Sequence, residues 1–391
     1  MPWKETTPMN QKLSFIADYL HRRYNFTQLC RQYGISRKTG YKWVDRYNEQ
    51  GISGLWNQSR RPYSHPCVIP RAIRQAIIDL RQDTRLTLGA KKIQARLRTE
   101  FPDIAPPAIS TINKVLASEG LTKKRHVPHR VPRDCSPLDE ATEPNQLWTT
   151  DFKGQFRLAS GQWCYPLTLM DQFSRFLLGC ESQEDVTTAN TIESFKRLFR
   201  EHGLPERIRS DNGTPFASKA TAGLSKLSVW WIKLGIIPER IQPGRPQQNG
   251  KHERMHRTLK QDATQPPSGD FTDQQERFNG FKHLYNEQRP HESLEMKTPA
   301  EVYTPAQREY PEVIDTVEYP SYFDVREVRG PGIVYWNGGQ LYISHLLNGE
   351  PIGINEVDDG IFDVYFSFYR LGQFDIRDVT NGSVSYWSLK V

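Results

Sequence analysis

Hydrophobic positions recur with helical spacing over the first 120 residues and with strand spacing later. Phe15, Ile16 and Tyr19 share one face of a first helix. Thr27 is placed to cap a second, short helix running to Tyr33. Gly34-Ile35 then makes a tight turn, and Ser36 is placed to cap a basic third helix ending near Tyr47. A helix, a short Gly-containing turn and a second helix make a helix-turn-helix. On its last helix Trp43, Val44 and Tyr47 are expected to pack inward. Three further helices are expected over Ile69–Arg81, Ala90–Glu100 and about Pro107–Glu119, where Ile112, Val115 and Leu116 carry the apolar period. They read as a second helix-turn-helix or winged-helix unit.

From Leu147 the period changes. Residues 147–156 (LWTTDFKGQF), Trp163–Met170 and Phe173–Cys180 read as strands, and Thr188–His202 as an amphipathic helix through Ile192, Phe195, Leu198 and Phe199. Residues 206–212 (ERIRSDN) form a short strand ending on Asp211. A helix around Lys219–Leu234, a Gly/Pro/Gln-rich loop over 242–250 and a basic helix from about Lys251 to Gln261 follow. That order of elements predicts a ribonuclease-H-like core. Past Tyr319, five short strands are expected over Phe323–Val328, Gly332–Trp336, Gln340–His345, Glu350–Glu356 and Ile361–Phe366, separated by turn signals such as Asn348-Gly349. They predict a small all-β, SH3-like barrel, with Tyr335, Trp336, Tyr342, Phe362, Tyr365 and Phe366 mainly in its core.

The fold class is therefore multi-domain α/β. We expect helix-turn-helix domains over 1–60 and 65–120, a Pro-rich linker over 121–146, a ribonuclease-H-like core over 147–315 and the β-barrel over 316–391.

Charge sharpens this division. The 391 residues carry a net +7, which alone says little about partners. By segment, residues 1–133 carry +16, residues 134–315 carry −4 and residues 316–391 carry −5. The excess positive charge lies on the helical third, as expected of a region that binds double-stranded DNA through its phosphates. In the first helix-turn-helix Arg37, Lys38, Thr39 and Lys42 open the last helix and are the candidates for groove or phosphate contact. Arg60 and Arg61 suit a backbone or minor-groove contact, and Ser110, Asn113 and Lys114 are the counterparts in the second unit. The acidic barrel is expected to contact another protomer rather than DNA.

No apolar run approaches the roughly 20 residues of a membrane span, and no secretory signal follows Met1. Five scattered cysteines include no CxxC pair. These features lead us to expect a cytoplasmic chain in a reduced compartment, nucleoid-associated when on DNA, with no membrane partner. His21, Cys30, His65 and Cys67 lack the pair spacings of a zinc site, so no zinc is expected.

One acid on the first core strand (Asp151), one after the fourth (Asp211) and one on a later helix (Glu253) suit phosphodiester chemistry. Two Mg²⁺ ions about 3.5–4 Å apart activate the nucleophile and stabilise the leaving oxygen, and such hard cations take carboxylate oxygens. In this reading Asp151 bridges the metals, Asp211 and Glu253 each hold one, and Mn²⁺ substitutes. Arg257 and Lys260 follow Glu253 at i+4 and i+7, on its own helix face. With Arg245 and Lys251 they are candidates for holding the scissile strand. Among 45 acidic residues, however, spacing alone singles out no triplet.

The local wording does. LWTTDFKG (147–154), MDQFSRFLLG (170–179), SDNGTPFAS (210–218), PGRPQQNGKHERMHRTLK (243–260), YNEQRPHESLEMKTPAEVY (285–303) and GISRKTGYKWVDRY (34–47) resemble the Asp-Asp-Glu transposases and retroviral-type integrases, most closely bacterial insertion-sequence transposases. The resemblance covers about three quarters of the chain. It implies an enzyme that binds transposon terminal repeats, cleaves 3′ ends and joins them to target DNA as a homo-oligomer. Its catalytic acids fall on Asp151, Asp211 and Glu253. The 41 residues between Asp211 and Glu253 exceed the interval usual in integrases, with the excess in 220–234 or the loop after it. A DNA-binding regulator without catalysis and a structure-selective nuclease on the same fold are the alternatives.

Overall fold

A computed structural model describes residues 7–59, 69–83, 85–122, 138, 140–218, 220–378 and 386–390. The basic residues Arg60, Arg61, Lys123, Lys124, Arg125 and Arg130, and with them His65 and Cys67, lie outside the described residues. The chain divides into two compact units, Met1–Val68 and Ile69–Val391.

The first unit holds helices α1 (Pro8–Leu20), α2 (Phe26–Gln32) and α3 (Arg37–Gln50), followed by a 3₁₀ turn over Gly51–Leu55. Ser36 caps α3 as its position predicts, accepting from Thr39 N at 3.2 Å. The cap of α2 is Asn25 rather than Thr27. Asn25 accepts from Thr27 N while Gln28 Oε1 accepts from Asn25 N, a reciprocal box that Thr27 has no partner to make. Phe15, Ile16, Leu29, Cys30, Val44 and Leu55 form the core. Trp43 and Tyr47 are only partly buried against it. At Gly40 a Cβ would stand 2.7 Å from Cys30 Sγ, so α3 can cross α2 this closely only without a side chain there.

The second unit opens with α4 (Arg71–Gln82), α5 (Ala90–Glu100) and α6 (Ile109–Ser118). They close around Ile73, Ile77, Leu88, Ile93, Ile112 and Leu116. Polar contacts fasten this bundle to residues far along the chain: Thr87 Oγ1 donates to Asp262 Oδ1 at 2.7 Å, and Lys91 pairs with Glu292 at 2.7 Å.

Next comes a mixed sheet of β1 (Leu147–Phe152), β2 (Phe156–Arg157), β3 (Trp163–Asp171), β4 (Leu177–Gln183), β5 (Arg207–Ser210) and β6 (Ile237–Arg240). β1 is central, antiparallel to β3 and parallel to β5; β4 lies beyond β3 and β6 beyond β5. One face is covered by α7 (Thr188–His202) and α8 (Lys226–Lys233), through Phe195, Phe199 and Trp231 against Trp148, Leu169 and Ile208. The other is covered by α9 (Gly250–Ala263) and α10 (Phe271–His283), through Met255, Leu259 and Phe278 against Met170 and Leu177. Neighbours such as Leu169 and Met170 serve opposite faces. Burial on both sides explains why these strands read as continuous apolar runs rather than alternations.

Among its described residues the C-terminal part has seven strands, not five: β7 (Asp324–Glu327), β8 (Ile333–Trp336), β9 (Gly339–Tyr342), β10 (Pro351–Asp358), β11 (Ile361–Phe366), β12 (Tyr369–Asp375) and β13 (Tyr386–Ser388). They form a four-stranded sheet, β12-β11-β10-β7, and a three-stranded one, β13-β9-β8. The turn into β12 is made by Ser367 at φ 54° rather than by a Gly or Asn signal, so the sequence did not mark it. Trp336 and Phe366 are buried as expected, whereas Tyr335 is 59% and Tyr342 38% exposed. The β core is continuous with Ala222, Leu224, Val229 and Ile232, and Lys233 pairs with Glu350 at 2.7 Å. Residues 222–233, within the interval between Asp211 and Glu253, are thus the seat on which the β sheets rest.

Candidate active site and nucleic-acid interface

Asp151 is the penultimate residue of β1, paired in register with Thr168 of β3. Asp211 directly follows β5. Because β1 and β5 are adjacent and parallel, their C-terminal ends share one sheet edge, where open α/β sheets gather their ligand-binding groups. Glu253 lies in the first turn of α9, which packs on the same sheet through Met255 and Leu259. Asp211 is half-buried, with Oδ1 accepting from Gly213 N at 3.1 Å, and Glu253 is exposed.

Electrostatics links the three acids. Burial, then the charge of Asp211 and, more weakly, that of Glu253, push the Asp151 carboxyl up to about 7. Among the described residues no three His, Cys, Asp or Glu side chains stand close enough together, as placed, to hold a metal ion. The acids therefore act on one another through charge without forming a closed cage. Their chemistry fits a divalent cation: hard oxygen donors with surplus negative charge at the rim of a partly buried site.

Of the basic candidates, Arg257 and Lys260 are exposed on the face of α9 that carries Glu253. Lys251 is turned to Glu140 at 3.3 Å, and Arg245 is half-buried in the preceding loop. Lys153 went unremarked in the sequence. It lies two residues past Asp151, and burial together with the charge of Lys260 pulls its ammonium down. Also missed was a buried polar cluster of Thr149, Thr168, His252 and His256 beneath Asp151. The i, i+4 spacing of the two histidines on a predicted helix was the available signal.

On α3, Arg37, Lys38 and Lys42 are exposed on one face with Tyr41 and Asp45. Thr39 is turned to the helix cap, its hydroxyl 3.0 Å from Ser36 Oγ. On α6, Ser110, Asn113 and Lys114 are all exposed.

Known proteins share this architecture. Residues 141–246 and 234–299 match two family models, each described as an integrase core domain. Together the two matches span residues 141–299, the stretch that holds the mixed sheet and its covering helices. Helix-turn-helix and homeodomain-like models match residues 11–63 and 39–116, so helix-turn-helix domains precede the ribonuclease-H-like core and β sheets follow it.

Three relatives illustrate the range of the likeness. An uncharacterized 39.2 kDa protein of the insertion element IS476 of Xanthomonas euvesicatoria is 24% identical, over 64% of this chain and 70% of its own length. The transposase for transposon Tn552 of Staphylococcus aureus is 21% identical, over 66% of this chain and 56% of its own. The Gag-Pol polyprotein of baboon endogenous virus is 25% identical over 57% of this chain, a stretch that makes up 12% of the polyprotein. Relatives of the chain thus include an insertion-element protein, a transposon's transposase and a retroviral polyprotein. Among the described residues no helix is long and apolar enough to cross a membrane.

Proposed function

We propose that the chain is a DNA transposase that binds terminal repeats, cleaves 3′ ends and joins them to target DNA by metal-dependent phosphoryl transfer. The observation that carries this reading is the placement of Asp151 and Asp211 at the ends of adjacent parallel strands with Glu253 on the helix packed against them; burial, then the charges of Asp211 and Glu253, raise the proton affinity of Asp151.

Asp151, Asp211 and Glu253 are the residues that would hold Mg²⁺, with Mn²⁺ able to replace it. When bound, the metal pair supplies a nucleophile activated at neutral pH and stabilises the departing oxygen. The strand ends under Asp151 and Asp211 fix two donors on a rigid sheet, and α9 presents the third. Arg257 and Lys260, on Glu253's face, position the scissile strand through its phosphates. Lys251 and Arg245 extend that track, and Lys153 stands beside it. His252 and His256 are weak bases: burial pulls the imidazolium of His256 down to about 3 and that of His252 down as well, so neither takes up a proton near neutral pH.

Upstream, Arg37, Lys38, Thr39 and Lys42 of α3, with Arg60 and Arg61, contact the terminal repeat. Ser110, Asn113 and Lys114 form a second contact. The protein acts in the cytoplasm as a homo-oligomer on paired ends.

The test is a joining assay. Full-length chain, Mg²⁺ and a duplex ending in the terminal repeat that brackets the reading frame are incubated with plasmid DNA. Joining of the 3′-hydroxyl is expected from wild type and is lost in Asp151→Asn, Asp211→Asn and Glu253→Gln while duplex binding persists. Variants that still join ends would refute the site. A wild type that binds without cleaving would mark a regulator, and one that cleaves any duplex without joining would mark a nuclease.

A further inference from the structure

Behind Asp151 lies a polar cluster that the proposed chemistry does not use. Thr149 and Asp151 point from β1, Thr168 from β3, and His252 and His256 from α9. The two threonines and His252 are almost wholly buried, and His256 is 9% exposed. Thr168 Oγ1 is the hub: it lies 2.9 Å from the Asp151 carbonyl oxygen, 2.7 Å from His252 Nε2 and 2.7 Å from His256 Nε2. Thr149 Oγ1 lies 2.8 Å from His252 Nδ1. The two imidazoles meet edge to face, 4.6 Å between centroids.

Counting protons decides the arrangement. A threonine hydroxyl has one proton to give and two lone pairs to receive. Only a carbonyl can accept at Asp151 O, so the Thr168 proton must go there if that contact is a hydrogen bond. Both Nε2 atoms must then carry protons and donate to Thr168. His252 Nδ1 is left as an acceptor, and the Thr149 hydroxyl fills it in preference to the Met170 carbonyl at 3.3 Å. Any other tautomer leaves at least one of these four short contacts without a proton. His256 Nδ1 ends as a bare lone pair 3.7 Å from Asp151 Oδ2, too far to be a hydrogen bond. The His256 ring thus makes no hydrogen bond to the Asp151 carboxylate.

We propose that Thr168 is a positioning residue which, through His252 and His256, ties the helix bearing Glu253 to the strand bearing Asp151 and so sets the spacing of the two acids. The brace acts on the backbone of Asp151 and on α9, never on the reacting atoms. Losing the Thr168 hydroxyl strands two buried N–H donors, which α9 can satisfy only by shifting. Serine in its place keeps the hydroxyl and the brace. The role of the brace rests on the reading of Asp151 and Glu253 as metal ligands; the proton arrangement does not.

Two measurements on the full chain test it. Long-range ¹H–¹⁵N spectra of ¹⁵N-histidine-labelled protein should show His252 and His256 as neutral Nε2–H tautomers. A Nδ1–H tautomer on either would overturn the proton assignment. Mn²⁺ binding, followed by electron paramagnetic resonance, should be within twofold of wild type for Thr168→Ser and at least tenfold weaker for Thr168→Val, with far-ultraviolet circular dichroism unchanged in both. Equal affinity in Thr168→Val and wild type, or equal loss in Thr168→Ser and Thr168→Val, would overturn the positioning role. If wild type itself binds no Mn²⁺, the metal-site reading and the positioning role fall together, while the tautomer spectra still decide whether the hydrogen-bonded brace exists.

Discussion

Asp151 ties stability to the proposed chemistry at a single residue. A carboxyl whose folded-state pKa rises from the ordinary 3.8 to about 7 binds its proton more tightly in the folded chain. Its ionisation therefore costs stability progressively as pH climbs through that window, and the full penalty stands above about 7. At roughly 1.4 kcal/mol per pKa unit this is a few kcal/mol. Asp151→Asn should accordingly raise the melting temperature of chelator-treated protein at pH 8, and the gain should vanish near pH 4. An unchanged difference between the two pH values in calorimetry would mean that the Asp151 carboxyl is not raised by its burial and its acidic neighbours. The three acids were legible because each sits in a distinctive phrase of sequence, TTDF, SDNG or NGKHER. The histidine–threonine brace was not. Its hydrogen bonds join residues 17 to 103 positions apart, and only strand register brings Thr168 opposite Asp151.

At the scale of elements, α3 carries two expectations. Gly40→Ala forces a methyl group against Cys30 Sγ and the Phe26 ring and should destabilise the first unit by about 1–3 kcal/mol, read as a lower denaturation midpoint. Replacing Lys38 and Lys42 together by Ala should weaken binding to all duplexes alike and flatten the dependence of log K on log salt by nearly 2. An unaltered slope would remove α3 from the phosphate contacts.

The helices were readable because capping residues and apolar period agree, as at Ser36. The misplaced cap at Thr27 arose because Asn25 also fits and its partner Gln28 tips the choice. Strands β12 and β13 escaped because a hairpin turned by Ser367, and a last strand pairing in parallel with distant β9, leave no local signature.

For the molecule as a whole, the segment charges and the division of labour agree in part. The basic first third contains both sets of groove-facing candidates. The acidic β sheets, however, turn an apolar face to the chain's own residues 221–233. Ending the chain after Asp315 should expose Leu224, Val229 and Ile232, giving a lower melting temperature and aggregation in size-exclusion chromatography. A monodisperse truncated chain with the full melting temperature would contradict this. No pattern within 316–391 could reveal the docking, since its partner lies about 100 residues upstream.

In the proposed site, three acids distant in sequence serve one metal centre. Ferrous iron in place of Mg²⁺, with ascorbate and peroxide, cuts the backbone wherever the metal is held. Cleavage of the full chain should map to three places, around Asp151, Asp211 and Glu253, and fade with excess Mg²⁺ or in Asp151→Asn. Cuts at only one of the three, or cuts indifferent to Mg²⁺, would contradict a shared centre.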